Sequence, residues 1–242
     1  MICIRDLNKS YKNNRVLREI NVHFEGAGIV AILGPNGSGK TTLLKCLLGM
    51  VLPDSGEILF RRKSIANEHA YRSDISYLSQ IARFPENHSV TELIQLMKEI
   101  NPRNTREHRL IEMFNLGLDI TKKMGSLSGG TRQKVNIMLA LMHDNPVIIL
   151  DEPSTGLDPL SLKRLKNFIL EERDRGKLIL ITTHILSLAE SLASHVLFLL
   201  EGRIYFDGSM HELLANESEH NLEDAIAHIL QYSNEISCVQ DI

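Results

Sequence analysis

Short apolar runs of strand length alternate along this chain with segments whose apolar residues recur at helical spacing. Strands are predicted over the runs Ile2–Leu7, Val16–Phe24, Ile29–Leu33, Gly56–Phe60, Ile75–Leu78, Val147–Leu150 and Leu178–Thr182. Helices are predicted over Lys40–Leu48, Pro159–Arg173 and Leu186–Ala193. Such alternation is typical of an α/β fold whose parallel strands are joined by helices.

The segment between Ser89 and Leu118 departs from this alternation. Its apolar residues recur only at helical spacing, and Pro102 interrupts the pattern. We therefore predict two or more helices inserted into the α/β core, the last of them ending at Gly117.

Beyond the insertion the helical pattern returns at Ser128. It is predicted to end near Asn145-Pro146, because proline stops a helix. Val196–Leu200 and Arg203–Phe206 then predict a β-hairpin. The tail after Gly208 is predicted to be mostly helical and polar.

Composition narrows the class of protein. The 242 residues are 43% hydrophobic and 24% charged, which fits one domain or two tightly joined ones. The net charge of −3 and the absence of tryptophan argue against binding nucleic acid. No apolar run reaches the roughly 18–20 residues of a membrane helix, and Arg5 and Asp6 stand where a signal peptide is apolar. We expect a cytoplasmic protein without direct membrane insertion.

A glycine-rich segment lies between a predicted strand and a predicted helix. Gly34-Pro35-Asn36-Gly37-Ser38-Gly39-Lys40-Thr41 fits the pattern G-x-x-x-x-G-K-[ST]. Its glycines let backbone N–H groups curl around phosphate, and the helix N-terminus adds positive potential. Lys40 is placed to contact the β- and γ-phosphates, Thr41 to bind Mg²⁺ and Thr42 to contact the α-phosphate. A turn without a ligand is the alternative, but the complete motif favours a nucleotide site.

A second motif is the apolar strand that ends in Asp151 and Glu152. An aspartate at this point suits Mg²⁺, and the adjacent glutamate is placed to polarise an attacking water as general base. Taken alone, the two residues could be solvated acids after a core strand. The phosphate-binding loop upstream favours the catalytic interpretation.

Further motifs, in a fixed order, resemble those of the ATP-binding-cassette (ABC) ATPases. They are Leu127-Ser128-Gly129-Gly130 (signature motif), Gln80 (Q-loop glutamine), Ser154–Asp158 (D-loop), His184 (switch histidine) and Tyr11 (the aromatic that stacks on adenine). The resemblance runs from Tyr11 to about Gly208, nearly the whole chain.

The resemblance implies a fold and an assembly. The fold would be an α/β P-loop NTPase with a RecA-like parallel core sheet, an N-terminal antiparallel β subdomain and an inserted helical subdomain. A single domain, 1–242, would comprise a core of about 1–82 and 146–208, a helical subdomain of about 83–145 and a C-terminal helical tail of about 209–242. Two chains would form a homodimer that sandwiches two ATP molecules head to tail.

The resemblance also implies roles for single residues. The catalytic residues would be Glu152, His184 and Gln80, and the Mg²⁺-binding residues Thr41, Gln80 and Asp151. ATP would be bound by Tyr11, Gly34, Pro35, Asn36, Gly37, Ser38, Gly39, Lys40, Thr41, Thr42, Ser128, Gly129, Gly130 and Asp158. From the residues alone, His184 and Gln80 could be structural or surface residues, and Tyr11 a core aromatic.

Three positions depart from the family pattern. Thr131 replaces the glutamine that usually ends the signature, so a side-chain contact from that position is in doubt. Ser79 stands where proline is common before the Q-loop glutamine and predicts a looser turn. Gly156 gives the D-loop more backbone freedom. None removes a group that hydrolysis needs.

We predict the ATP-binding and ATP-hydrolysing subunit of an ABC transporter, which dimerises on ATP and drives a transmembrane permease. It would sit at the cytoplasmic face of the inner or plasma membrane through that permease, which would contact Ile81–Ile100, including Phe84 and Pro85. Ser89-Val90-Thr91-Glu92-Leu93 resembles subunits that serve exporter-type permeases. The run from Leu127 to Val135 resembles the ATPase subunit linked to maturation of the copper enzyme nitrous-oxide reductase.

Two other functions stay open at this point. A soluble ABC ATPase acting in cofactor or metal-cluster assembly is the main alternative. A nucleotide-binding regulator without turnover is disfavoured by Glu152 and His184.

Overall fold

The computed structural model of the protein describes residues 1–81, 84–217 and 221–240. Its strands are β1 (Ile2–Tyr11), β2 (Asn14–Phe24), β3 (Gly28–Leu33), β4 (Ser55–Phe60), β5 (Lys63–Ser64), β6 (Ile75–Leu78), β7 (Val147–Asp151), β8 (Leu178–Thr182), β9 (His195–Leu200) and β10 (Arg203–Ser209). Its helices are α1 (Lys40–Leu47), α2 (Val90–Ile100), α3 (Glu107–Phe114), α4 (Gly129–Leu141), α5 (Pro159–Asp174), α6 (Leu186–Leu192), α7 (Met210–Glu217) and α8 (Leu222–Gln240).

The larger sheet has the strand order β10-β9-β3-β8-β7-β6. Its strands are parallel except for β10, which pairs antiparallel with β9. The strands β3, β8 and β7 are neighbours, and Asp151 pairs in register with Thr182. Chain segments far apart in sequence therefore leave the sheet side by side at the carboxyl ends of these strands, where α/β sheets bind ligands.

A smaller antiparallel sheet has the order β2-β1-β4-β5 and confirms the predicted N-terminal β subdomain. Its first hairpin is longer than predicted, because β1 extends beyond Leu7 and β2 begins before Val16. Tyr11 pairs with Asn14 at the tip of this hairpin. Long pairing therefore carries Tyr11 away from the subdomain core.

The insertion is helical as predicted, but its last helix and the helix that follows the insertion both end earlier than predicted. Helix α3 ends before Gly117, because Asn115 adopts a left-handed conformation with φ 55° and its N–H donates to the Ile111 carbonyl. Helix α4 ends before Asn145-Pro146. The Arg106 side chain donates to the Leu141 carbonyl, and the Arg106 backbone N–H donates to the Met142 carbonyl. These tertiary hydrogen bonds occupy the carbonyls that another helical turn would use.

Two apolar cores flank the larger sheet. One lies between the two sheets and around α1. The other lies between the larger sheet and the helices of the insertion, and it includes Leu213, Leu222 and Ile229 of the tail. The tail is therefore helical as predicted but not simply polar, because one face of it completes this core. Among the described residues, no helix has the length and apolarity to cross a membrane.

A cluster of charged side chains fastens the insertion to the core. Glu172 of α5 is fully buried and accepts from Arg106, at the start of α3, at 2.6 Å and from Arg175 at 2.8 Å. Lys177 lies 2.5 Å from the same carboxylate and also pairs with Asp144. These partners outweigh the opposing effect of burial and lower the pKa of Glu172.

Candidate nucleotide-binding and catalytic site

The glycine-rich loop follows β3 and leads into α1, and its backbone requires glycine at two closely packed positions. Gly34 has φ 143°, and a Cβ there would lie 2.0 Å from the Leu199 carbonyl oxygen. Gly39 has φ 106°, and its Cβ would lie 2.8 Å from the Val16 carbonyl oxygen. The loop is therefore pressed between the β9–β10 hairpin and β2, which fixes its shape before any ligand binds.

Lys40 is folded back onto this loop. Its Nζ donates to the carbonyl oxygens of Gly34 at 2.7 Å and Pro35 at 3.0 Å. Burial lowers the pKa of Lys40, against the opposing effect of Glu152 and Asp151. The Lys40 ammonium group therefore lies at the loop, where phosphate oxygens can replace the two carbonyl oxygens that now accept its hydrogen bonds.

A cavity of about 400 Å³ opens in front of the loop. Its lining residues are Tyr11, Asn14, Val16, Asn36, Gly37, Gly39, Lys40, Thr41, Thr42, Gln80, Asp151 and Glu152. The structure therefore brings half of the predicted ATP-binding residues together, all of them from the first β-hairpin, the glycine-rich loop and the start of α1. Space in front of Gly37 is open, as a loop that approaches a phosphate closely requires.

Three residues of the glycine-rich loop that are predicted to bind ATP are outside that lining. Gly34 lies beneath the loop against Leu199, and Pro35 offers its carbonyl to Lys40. Ser38 is buried, and its backbone carbonyl accepts from Gly202. These residues shape the loop from behind, and their contact with the nucleotide stays a prediction.

The oxygen atoms suited to Mg²⁺ lie at the carboxyl ends of β7 and β8 and the start of α1. Thr41 Oγ1 is 3.4 Å from Asp151 Oδ2, and Thr182 Oγ1 donates to Asp151 Oδ1 at 2.6 Å. Burial raises the pKa of Asp151 because its charge is poorly solvated. Hard oxygen donors beside a desolvated carboxylate fit Mg²⁺.

Glu152 occupies a strained backbone position next to Asp151. Its φ is 54°, and its N–H donates to the carbonyl and the hydroxyl of Thr182, each at 3.1 Å. Its carboxylate oxygen Oε2 lies 2.7 Å from His184 Nδ1 and accepts from the His184 N–H at 3.3 Å. The predicted base and switch histidine are therefore in direct contact at the edge of the cavity.

The predicted signature residues lie elsewhere. Ser128 caps the start of α4, and neither it nor Gly129 or Gly130 is among the described residues that line the cavity. Ser128 is exposed, and space in front of Gly129 is open. This chain therefore does not bring its signature motif to its own nucleotide cavity.

The predicted D-loop aspartate also lies outside the cavity. Asp158 caps α5, accepts from the Ser161 N–H at 2.8 Å and pairs with Lys134 at 2.7 Å. These partners lower its pKa. A Cβ on Gly130 would lie 3.3 Å from the Gly156 carbonyl oxygen. The D-loop is thus packed on the signature helix, and a nucleotide contact from Asp158 stays a prediction.

Comparison with known proteins decides the family. Residues 17–155, more than half of the chain, match the family model described as ABC transporter. The chain belongs to the ABC transporter family. It is an ATP-binding subunit and an ATPase of that family, as the motifs predicted. The predicted fold is likewise confirmed.

Similar proteins match this chain over almost its full length. The lipopolysaccharide export system ATP-binding protein LptB of Haemophilus influenzae is 32% identical, covering 90% of this chain and 94% of the relative. The L-cystine import ATP-binding protein TcyC of Bacillus subtilis is 29% identical, covering 95% of this chain and 99% of the relative. A solved ATP-binding subunit of an ABC transporter is 26% identical, with a TM-score of 0.87 over 95% and 99% of the two chains.

The Q-loop of this ABC subunit carries Gln80 into the nucleotide cavity, as predicted. The Ser79 hydroxyl donates to the Ile81 carbonyl at 3.3 Å, and the looser turn expected from serine at this position stays a prediction. Serine thus supplies a local hydrogen bond where the family commonly has the rigid ring of proline.

Sequence reasoning missed Thr182, Asn14 and Val16. Thr182 is fully buried and joins Asp151 to Glu152, and its only sequence signal is a hydroxyl residue at a strand end shortly before His184. Asn14 and Val16 enter the cavity through the pairing of β1 with β2. No motif marks either residue, because hairpin register is a property of the folded sheet.

Proposed function

We propose that two copies of this chain bind two ATP molecules between them, and that binding and hydrolysis drive conformational change in a transmembrane permease. The observation that carries the proposal is the separation of two half-sites. Lys40, Thr41 and Glu152 converge on one cavity, whereas Ser128 stands exposed at another helix start. A second copy turned head to tail completes the site by bringing its Ser128 to the nucleotide.

Each residue of the cavity has a proposed part in the reaction. Lys40 exchanges its loop carbonyls for phosphate oxygens, and Tyr11 stacks on adenine. Thr41, Asp151 and Gln80 hold Mg²⁺, which neutralises phosphate charge when bound. Glu152 orients a water and accepts its proton.

His184 has a separate proposed part, at the γ-phosphate. Its contact with Glu152 Oε2 supports a joint action of the two side chains on the attacking water. Loss of the γ-phosphate then removes the contacts that bridge the two subunits, and the dimer opens.

The proposed permease contact lies on the helical subdomain, which we place at about residues 83–145 between the core segments. Ile81, Leu96 and Ile100 are exposed apolar residues of the predicted segment Ile81–Ile100. Phe84 is instead partly buried and packs against the core, so it is a poor probe of docking. Residues 82–83 of this segment lie outside the described residues.

We propose an exporter-type permease. The likeness of Ser89–Leu93 to exporter-linked subunits and the 32% identity to LptB support this, although TcyC, an import protein, is similar at 29%. The subunit would then work at the cytoplasmic face of the membrane through its permease. The likeness to the subunit linked to nitrous-oxide reductase maturation stays a prediction.

The test is capture of membrane partners. The Glu152→Gln variant is expected to retain ATP and remain dimeric, so it is used as bait in detergent-solubilised membranes with ATP and Mg²⁺. Mass spectrometry is expected to identify a multi-spanning protein, absent when Lys40→Ala is added to the bait. Recovery of soluble partners alone would instead support a soluble assembly ATPase.

The direction of transport needs a second step. The captured permease and this subunit are placed in vesicles with the ATPase sites outward. An exporter moves its substrate into such vesicles on addition of ATP, whereas outward movement would contradict the exporter proposal.

A further inference from the structure

The signature motif of this chain has a second hydroxyl residue at its helix start. Ser128 caps α4, and its Oγ accepts from the Thr131 N–H at 3.2 Å. The side chain of Thr131 reaches the same atom, because Thr131 Oγ1 lies 2.8 Å from Ser128 Oγ. Thr131, which stands where the family usually has glutamine, therefore makes a side-chain contact within the signature itself.

The hydrogen-bonding capacity of Ser128 limits how it can meet a phosphate. Its hydroxyl has one proton and two acceptor lone pairs, and one lone pair already takes the Thr131 N–H. If Ser128 gave its proton to Thr131 Oγ1, none would remain for a phosphate oxygen, which only accepts. If Thr131 donates instead, the second lone pair is used and the proton of Ser128 is free to point outward.

We propose that Thr131 is a positioning residue for the signature serine: its hydroxyl donates to Ser128 Oγ and directs the serine proton to the phosphate of ATP held by the opposite subunit. This inference rests on the proposed head-to-tail dimer. Donation by Thr131 also polarises the Ser128 hydroxyl and makes it a better donor, as in any chain of hydrogen bonds.

The residues around Ser128 and Thr131 hold the backbone in place, so the orientation of the Ser128 hydroxyl decides whether it can donate to a phosphate. The backbone at the start of α4 is already held, because Gly130 packs on the Gly156 carbonyl and Lys134 pairs with Asp158. Ser128 itself is exposed, so a second copy of the chain can reach its side chain. The Ser128 hydroxyl can still rotate about its Cβ–Oγ bond, and the contact with Thr131 Oγ1 restricts that rotation.

The test compares four changes in the full-length Glu152→Gln chain: Thr131→Val, Thr131→Ser, Ser128→Ala and the double change Ser128→Ala with Thr131→Val. Thr131→Val keeps the shape and the helix-capping N–H but removes the hydroxyl. The ATP-dependent monomer–dimer equilibrium is measured by analytical ultracentrifugation. ATP binding to the monomer is measured separately with a fluorescent analogue.

Thr131→Val is expected to weaken ATP-dependent dimerisation about tenfold, because the Ser128 hydroxyl at each of the two sites is no longer oriented and polarised to donate to phosphate. Thr131→Ser restores dimerisation to within about twofold, because it restores the hydroxyl. Thr131→Val has no further effect once Ser128 is alanine. ATP binding to the monomer is unchanged, because Thr131 is not among the residues of that cavity.

Three outcomes would overturn the inference while leaving the dimer proposal intact. They are wild-type dimerisation of Thr131→Val beside a weakened Ser128→Ala, equal loss in Thr131→Val and Thr131→Ser, and additive effects in the double variant. A different result bears on the dimer proposal itself. If the parent Glu152→Gln chain binds ATP but stays monomeric at all concentrations, the head-to-tail dimer fails and this inference fails with it.

Discussion

His184 Nδ1 lies 2.7 Å from Glu152 Oε2, although the two residues are 32 positions apart in the chain. The contact exists because β7 and β8 are neighbours and their carboxyl ends leave the sheet together. The backbone of Glu152 is held at φ 54° by two hydrogen bonds to Thr182. The carboxylate is therefore fixed in place before a nucleotide binds, as a general base requires.

Removing this carboxylate is expected to separate ATP binding from hydrolysis. Glu152→Gln should lower kcat by at least about 100-fold, since a positioned general base contributes at least that much. The Kd for ATP should remain within about threefold, because the amide keeps the size of the side chain. Phosphate release and equilibrium binding measure the two effects. The exposed Glu190→Gln serves as the matched control, and equal losses in both variants would contradict the assignment.

Thr182 is expected to set the pH range of the reaction. Burial raises the pKa of Asp151, and the hydrogen bond from Thr182 opposes that rise. Thr182→Val removes the bond, so the pKa of Asp151 rises further and a larger fraction of it is protonated at a given acidic pH. The acid limb of the pH profile of kcat/KM should move to higher pH, and Thr182→Ser should return it. An unmoved limb in Thr182→Val would show that Asp151 does not control it.

Tyr11 is expected to contribute to affinity through the base of the nucleotide. Tyr11 is 46% exposed at the cavity, with Lys9 Nζ 5.5 Å from its ring centre. Tyr11→Ala should raise the Kd for ATP by about fivefold to tenfold, whereas Tyr11→Phe keeps the ring and the affinity. Binding of inorganic triphosphate, which has no base, should not change in either variant. A loss of triphosphate affinity would indicate a damaged loop instead of lost stacking.

The buried charge cluster predicts a large stability effect at one glutamate and a small one at its neighbour. Glu172→Gln removes the negative charge among Arg106, Lys177 and Arg175 and should lower the free energy of unfolding by about 3 kcal/mol. Glu171→Gln breaks an exposed pair with Arg109 and should cost less than about 1 kcal/mol. Urea unfolding of both variants measures the difference. Equal losses in the two variants would mean that burial of the charge cluster contributes nothing to the free energy of unfolding.

Glu107 gives a pH-dependent stability prediction. Burial acts to raise its pKa, but hydrogen bonds from Lys98 and Thr105 outweigh it and hold the pKa at about 2. A carboxyl with a lowered pKa in the folded state stabilises above its unfolded pKa and loses that effect as pH falls toward the folded value. Glu107→Gln should therefore destabilise the protein at neutral pH, and the deficit should shrink between about pH 4.5 and pH 2. A deficit that is constant over this range would contradict the lowered pKa.

Sequence reasoning located most elements of this fold because their signals are local. Two examples are the apolar run Val147–Leu150 and the loop before Lys40. Each can be recognised within a few residues, because strand burial and phosphate binding depend on adjacent positions. Element ends were less predictable. Asn115 and Arg106 end helices through a left-handed backbone and through contacts with distant carbonyls, and neither effect is visible in a local pattern.

The sequence by itself determined the chemical groups and their order: Lys40 at the start of a predicted helix, and Asp151, Glu152 and His184 just after predicted strands. Only the tertiary structure decided which groups meet. Strand order placed β3, β7 and β8 side by side and so joined Glu152 to His184 through Thr182, whereas Ser128 was left at a separate helix start. The physical reason is that strand pairing and core packing act between distant parts of the chain, so neighbours in the sheet cannot be inferred from spacing alone.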